Sequence, residues 1–347
     1  MTHSSNKSET PVRIAINGYG RIGRCVLRAL YESSYREKMQ VVAINEPADI
    51  DTIIHLTKYD SVHGRFPGQV SGDTKEKKLY VNGDSISLST ERDLKALPWS
   101  QHQIDIVLEC SGEFTTREIL SQHLKQGAGK VLLSQPGEFD LKTIVYGINQ
   151  QQLSSDDLIC SAASCTSNCI VPVIDALHRA FTIDSGVITT IHSAMNDQPV
   201  IDAYHHTDLR KTRAAGQSII PVDTGLAYGI GRILPELNGK FSARALRVPT
   251  LNVSLMELSL SIQKITTKAE VNDCLRQAGS AHLKNILDCS DEPLASCDFN
   301  HDPRSAIIDT EQTRVSGHLI NTLAWFDNEW AYANRMLDIT EYWLNQK

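Results

Sequence analysis

The stretch VRIAINGYGRIGRCVLRALYESS, Val12 to Ser34, restricts the fold more than any other part of the chain. It opens with a β-rich apolar run ending at Asn17, and from Arg21 onward Ile22, Val26 and Leu30 recur at helical spacing. Between the two, Gly18, Gly20 and Gly23 form a GxGxxG pattern. A strand that turns this tightly into a helix lets a pyrophosphate approach bare backbone at the helix N-terminus, where free amides and aligned peptide dipoles favour an anion. A second apolar run, VVAIN (Val41 to Asn45), completes a βαβ unit. Glu46 follows directly, placed to accept ribose hydroxyls and to repel a 2′-phosphate, which favours NAD over NADP. The competing reading is a turn shaped by glycines alone, with Glu46 merely solvated.

The alternation continues. IDIVLEC (Ile104 to Cys110), KVLLS (Lys130 to Ser134) and TIVYGIN (Thr143 to Asn149) read as further strands, with the helical TTREILSQHLKQG between the first two. The fold class expected is α/β, a Rossmann-type doubly wound parallel sheet. Beyond residue 180 the character changes: GVITTIHSAM, ARALRVPT, VSLMELSLSIQK and HLINTLAWFD alternate apolar with polar residues, as in a sheet covered on one face. They predict an α+β catalytic domain with a mostly antiparallel sheet. The final WAYANRMLDITEYWLNQ has helical spacing of Met336, Ile339 and Trp343 and is expected to return to the first domain. The division expected is 1–164 with 328–347 for the nucleotide domain, and 165–327 for the catalytic domain.

Composition bounds the function. With 347 residues, 41% hydrophobic and 22% charged, the chain can bury a core large enough for two domains. A net charge of -7 argues against nucleic acid as a partner while leaving room for a local anion site. The opening MTHSSNKSET is polar and reads as a short disordered terminus, and no run is apolar enough to span a bilayer. No membrane partner and a cytoplasmic location are expected. Eight cysteines at irregular spacings do not form a secreted disulfide framework. Cys25, Cys110, Cys274, Cys289 and Cys297 read as small apolar fillers. No metal is expected, since no CxxC, HExxH or EF-hand pattern occurs and nothing near Cys165 and Cys169 completes a ligand set.

In CSAASCTSNCIVPVIDALHRAF (Cys160 to Phe181), Cys165 lies where small residues give way to an apolar-periodic helix. A thiol there sits close to free amides that favour its thiolate. His192, ending the strand-like GVITTI, is the best candidate for a base beside it. The alternative is a capping Ser164 with an inert, buried Cys165. A thiol, a histidine and NAD together fit an aldehyde substrate: thiolate attack, hydride removal, then release of a thioester.

The motifs INGYGRIGR, KYDSVHGRF, SCTSNC, HSAMNDQ, LPELNGK, RVPTLNVS and WFDNEWAYANRM, in this order from Val12 to the C-terminal helix, resemble the glyceraldehyde-3-phosphate dehydrogenase family. The resemblance makes Cys165 the nucleophile and His192 the thiol activator and hydride-step base. It places Ser164, Thr166, Lys211, Thr224, Gly225 and Arg247 around the substrate's phosphate or the acyl acceptor. Arg21, Ile22, Glu46, Arg92, Ser134 and Asn328 match cofactor positions, with Asn328 expected to orient the nicotinamide amide. It also implies a small sugar-phosphate substrate and a homotetramer, with RAAGQSIIP (Arg213 to Pro221) at a subunit contact.

Departures from the glycolytic pattern bear on substrate. Met195 stands where that pattern has a phosphate-binding threonine, and Lys211 where it has an arginine, losing bidentate geometry. Met195 with DFNHDPRSAIID, INEPAD and IIPVDT resembles a branch of the family that takes a sugar phosphate one carbon longer and hydrolyses its thioester, while Lys211 puts its own phosphate role in doubt, which Arg210 could take over. The glycolytic, phosphorylating reaction is the alternative within the family. A cysteine hydrolase and a silent NAD-binding protein are the alternatives outside it.

Overall fold

The computed structural model describes residues 11–205 and 208–346, so the polar opening expected to be disordered lies outside the described residues. Two eight-stranded sheets dominate. The first runs, across its width, Ile159–Ser161, Lys130–Leu133, Ile106–Glu109, Val12–Asn17, Met39–Asn45, Asp84–Ser89, Lys78–Val81 and Val70–Asp73. The strands up to Asp84–Ser89 pair in parallel; the last two are antiparallel additions at one edge. The chain starts in the middle of this order, at Val12–Asn17, and winds outward to both sides, which opens a crevice beside the end of that strand.

A buried polar chain ties the strand ends together at that crevice. The Asn45 side-chain amide donates to Asn17 Oδ1 at 2.8 Å, and Asn17 donates to the Glu109 carboxylate at 2.6 Å. Glu109, fully buried, also meets His123 Nε2 at 2.9 Å. Asn17, Asn45 and Glu109 each end a parallel strand, and His123 reaches them from the helix Arg117–Lys125, so the network fixes the edge on which a ligand must lie.

One sequence expectation is corrected. The run Thr143 to Asn149 forms no strand and makes a single bridge, Thr143 to Ser161; the outermost parallel strand is Ile159–Ser161. The Asn149 side chain accepts from Val145 N at 2.8 Å and donates to Thr143 O at 2.9 Å. These local bonds, with Gly147 at φ 91°, fold the segment into a turn and use up groups a ladder would need. Ile144 and Val145 are apolar because the turn is buried.

The second sheet is mixed and mostly antiparallel, in the order Ile220–Val222, Phe241–Arg247, Ile183–His192, Ser254–Ile262, Leu319–Phe326, Ala306–Asp309, Leu287–Ser290, with its eighth strand, Arg314–Ser316, pairing Leu319–Phe326 off this path. Ile183–His192 and Phe241–Arg247 run parallel, bringing His192 level with Arg247. Ser254–Ile262 alternates buried and half-buried residues throughout, the mark of one covered face. Helix α1 (Arg21–Tyr31) packs against the C-terminal helix Trp330–Leu344, in which Met336, Ile339 and Trp343 are wholly buried. The expected return of the chain to its first sheet is therefore present.

Candidate active site

Cys165 is the first residue of a 17-residue helix, Cys165–Phe181. Ser164 caps it, its Oγ accepting from Ser167 N at 3.0 Å. The approach is unusual: Ala163 is left-handed, at φ 59°, a conformation a non-glycine residue holds only when its surroundings impose it. They do so here. Tyr332 Oη, from the C-terminal helix, donates to Ala163 O at 2.9 Å, and Asn168 Nδ2 donates to Ala162 O at 2.8 Å and Ser164 O at 2.9 Å. The turn is thus held from both sides and delivers the sulfur to the helix N-terminus.

His192 ends its strand with Nε2 3.7 Å from Cys165 Sγ. Its Nδ1 lies 2.9 Å from Ser193 O and 2.8 Å from Arg247 Nη1. A proton on Nδ1 binds the carbonyl and leaves Nε2 as a base toward the thiol; a proton on Nε2 leaves Nδ1 to accept from Arg247. Burial pushes the Cys165 thiol up to about 11, opposed by the Arg247 charge and the helix-start amides. Burial, then the same guanidinium, pushes His192 down to about 4. The resting pair is therefore thiol and neutral imidazole. The expected thiolate-favouring amides are present, and desolvation outweighs them.

The dinucleotide crevice opens between the strand ends, a cleft of about 410 Å³ lined in part by Gly18, Gly20, Glu46 and Arg92. Gly18 has φ 86°, and a Cβ there would lie 2.4 Å from Ser111 backbone, so only glycine fits. Nothing comes within 4 Å of a Cβ added at Gly20, which leaves room for a phosphate against bare backbone. Glu46 Oε2 accepts from Tyr19 N at 2.8 Å, holding the carboxylate at the cleft wall. These residues fit NAD.

The other sequence candidates divide. Asn328 Oδ1 accepts from Ser193 Oγ at 3.1 Å and Ser254 Oγ at 2.8 Å, which turns its amide nitrogen outward as a donor. Ser164 and Thr166 hydroxyls lie 2.8 Å apart on either side of Cys165 in the chain. Gly225 precedes the helix Leu226–Ile233, and Thr224 Oγ1 accepts from Leu226 N at 3.3 Å. The Arg21 side chain turns away from the cleft to pair with Asp60 and Glu329, leaving only its backbone at the helix start, and Ile22 packs into the core of that sheet. Ser134 donates its amide to Glu109 O at 3.0 Å, at the end of the strand beside Ile106–Glu109. Lys211 pairs with Asp197 at 2.7 Å.

Contacts between distant residues carry what sequence reading missed. The Arg247 bond to His192 spans 55 positions. Cys297 is exposed, so it is not the filler expected of it. Among the described residues, Cys25, His63 and Glu329 place ligand atoms within 4.8 Å of one another, but Arg21 already holds both Glu329 oxygens, and its charge opposes a cation there.

Residues 12–117 match the family described as glyceraldehyde 3-phosphate dehydrogenase, NAD binding domain, and residues 164–328 match glyceraldehyde 3-phosphate dehydrogenase, C-terminal domain. The first span holds the glycine turn and Glu46, the second holds Cys165, His192, Arg247 and Asn328. The two spans together take in most of the chain, and with the geometry above they establish that it belongs to the NAD-dependent glyceraldehyde-3-phosphate dehydrogenase family.

Proposed function

We propose that this chain is a D-erythrose-4-phosphate dehydrogenase, oxidising D-erythrose 4-phosphate to 4-phosphoerythronate with NAD and releasing the product with water, on the route to pyridoxal phosphate. The Cys165 sulfur adds to the aldehyde carbon while His192 Nε2 takes the thiol proton, which reaches the aldehyde oxygen and gives a thiohemiacetal. His192 would then take that hydroxyl proton, NAD held at the glycine turn and Glu46 would supply the two-electron oxidant, and a thioester would remain. Water adds, the carbon–sulfur bond breaks, the sulfur regains a proton and the acid dissociates to carboxylate. Arg247 supplies positive charge for the substrate's phosphate, and Asn328 the donor for the nicotinamide amide. The protein division adopted is 1–164 with 328–347, and 165–327.

The observation that carries the choice of substrate is Met195. It follows the His192 strand, is 45% exposed, and offers no hydrogen to a phosphate where the glycolytic pattern has a hydroxyl. A homotetramer in the cytoplasm completes the proposal; exposed Val200, Ile201, Leu209 and Ile219, on and beside the expected contact loop, supply apolar surface for it. The phosphorylating glycolytic reaction is the second reading, favoured by the name both matched families carry. Comparing kcat/KM for erythrose 4-phosphate and glyceraldehyde 3-phosphate, with and without inorganic phosphate, separates the two. Linear NADH production from the four-carbon sugar in phosphate-free buffer supports the proposal, and a burst of about one turnover per site that then halts refutes it.

A further inference from the structure

His301, in the loop before the strand Ala306–Asp309, brings its Nδ1 to 3.1 Å from Nδ1 of His63, which follows the helix Ile50–Lys58. With ring centroids 5.2 Å apart, the two rings meet nearly end to end. Their far nitrogens both reach carboxylates: His63 Nε2 lies 3.1 Å from Glu329 Oε2, and His301 Nε2 lies 2.7 Å from Glu32 Oε2. Burial opposes ionisation of Glu329, and bonds from Arg21 and His63 overcome this and hold its carboxyl below the ordinary range. The four groups form a line with three contacts. Each contact needs one proton, and two neutral rings carry only two between them. A third proton completes the line, whereas a fourth would set two N–H groups face to face. The other charges around the rings are already engaged. Arg21 holds Glu329 and Asp60, Asp60 accepts from His63 N at 3.0 Å, Arg28 donates to Gly64 O at 2.7 Å, and Asp302 and Arg304 pair with each other. Burial pushes the neighbouring Cys25 thiol up.

This line grips the residues around Asn328. Asp327, fully buried, accepts from His301 N at 2.7 Å with one oxygen, and from Glu329 N at 2.9 Å and Trp330 N at 2.8 Å with the other. The Trp330 ring stacks on His301 with centroids 3.5 Å apart. His301 is itself left-handed, at φ 68°, a conformation that these contacts impose. Asp327, Glu329 and Trp330 therefore all touch the histidine pair, while the Asn328 side chain is held by Ser193 and Ser254 of the second sheet. The His63 side chain is fully buried and that of His301 is 34% exposed, so a proton enters and leaves at the His301 end. We propose that His63 and His301 are positioning residues for Asn328, joined by one shared proton that locks Asp327 to Trp330 in the arrangement that receives the nicotinamide. When that proton leaves, His301 Nε2 turns a lone pair to Glu32, the contact is lost and the segment loosens. The inference rests on the proposed role of Asn328 and holds for either sugar phosphate.

The test follows Kd for NAD against pH by tryptophan fluorescence, beside nitrogen NMR of the histidine rings, in the full chain as wild type, Glu32→Gln, His301→Asn and Asn328→Ala. Glu32→Gln decides the matter, because an amide donates to a bare Nε2 and so supplies the third proton without titrating. In the wild type, NAD affinity should fall at least about fivefold as pH rises through the step in which His301 Nε2 changes from N–H to bare nitrogen. In Glu32→Gln that nitrogen should stay bare across the same range, and affinity should hold at the wild type's acid-pH value. A merely structural role for Glu32 would weaken binding at every pH instead. His301→Asn tolerates the left-handed backbone but lacks the ring, so it should bind NAD weakly at every pH while its far-UV CD spectrum matches the wild type. Wild-type pH dependence in Glu32→Gln, or wild-type affinity in His301→Asn, overturns the inference. If Asn328→Ala binds NAD as the wild type does, the role of Asn328 fails and the positioning inference falls with it, while the His301 titration still reports the shared proton.

Discussion

Replacing His192 by Asn removes the proton acceptor 3.7 Å from the sulfur while keeping a polar side chain of similar reach. With the thiol at about 11 and the imidazole at about 4, neither group ionises alone across the neutral range. Proton transfer within the pair leaves the net charge unchanged, so the ion-pair fraction does not depend on pH between those two values. An imidazolium and a thiolate at this separation attract by about 4 kcal/mol at an effective dielectric near 20, or roughly three orders of magnitude in thiolate population. The roughly seven units between the two groups, less the roughly three gained by attraction, leave about one pair in ten thousand ionised, a fraction that direct ionisation of the thiol reaches near pH 7, so the wild type should alkylate with iodoacetamide at a rate that is flat at acid pH and climbs above neutrality. His192→Asn should lose the plateau: its rate should climb tenfold per pH unit across the same range, and kcat should fall by about two to four orders of magnitude. A variant that keeps the plateau would show that His192 does not take the thiol proton.

Three further outcomes follow from the geometry. Mapping of labelled peptides should find iodoacetamide on Cys165 and on the exposed Cys297, with buried Cys25, Cys160 and Cys169 spared; Cys165→Ala should end turnover with NAD binding intact. Tyr332→Phe leaves the Ala163 carbonyl without its donor, so urea denaturation should show a loss of about 1–3 kcal/mol, with a lower kcat as the left-handed turn relaxes. Burial opposes ionisation of Asp60, and Arg21 outweighs it, so its folded carboxyl titrates below the ordinary range. Such a group stabilises fully above its unfolded pKa of about 4 and loses that contribution as pH falls. The stability gap between wild type and Arg21→Leu, followed by urea midpoint, should therefore narrow on acidification.

Features fixed by local chemistry were legible in the sequence. The glycine turn reads directly because Gly18 needs positive φ, and the start of the helix Cys165–Phe181 reads because Ser164 is a capping residue ahead of an apolar run. The strand Ile159–Ser161 was hidden by its three-residue length and the small residues after it, whereas Thr143 to Asn149 carried a stronger apolar run for a different reason, burial of a turn closed by Asn149. The left-handed Ala163 has no local signal. Alanine carries no preference for positive φ, and what imposes it is a tyrosine 169 positions away.

The same distinction runs through the site. Cys165 and His192 could be named from local context, yet what shifts their ionisation is first their burial and then Arg247, brought level with His192 by the parallel pairing of two strands. Because Arg247 lowers both the thiol and the imidazole, its effect on transfer between them nearly cancels: it favours the thiolate and disfavours the imidazolium. An anion drawing the guanidinium away from His192 Nδ1 changes that balance, since the nitrogen is then free to hold its proton against Ser193 O and present Nε2 as the base. On the proposed reading, in which Arg247 receives the substrate's phosphate and His192 is the base, binding and readiness of the base are joined through one side chain.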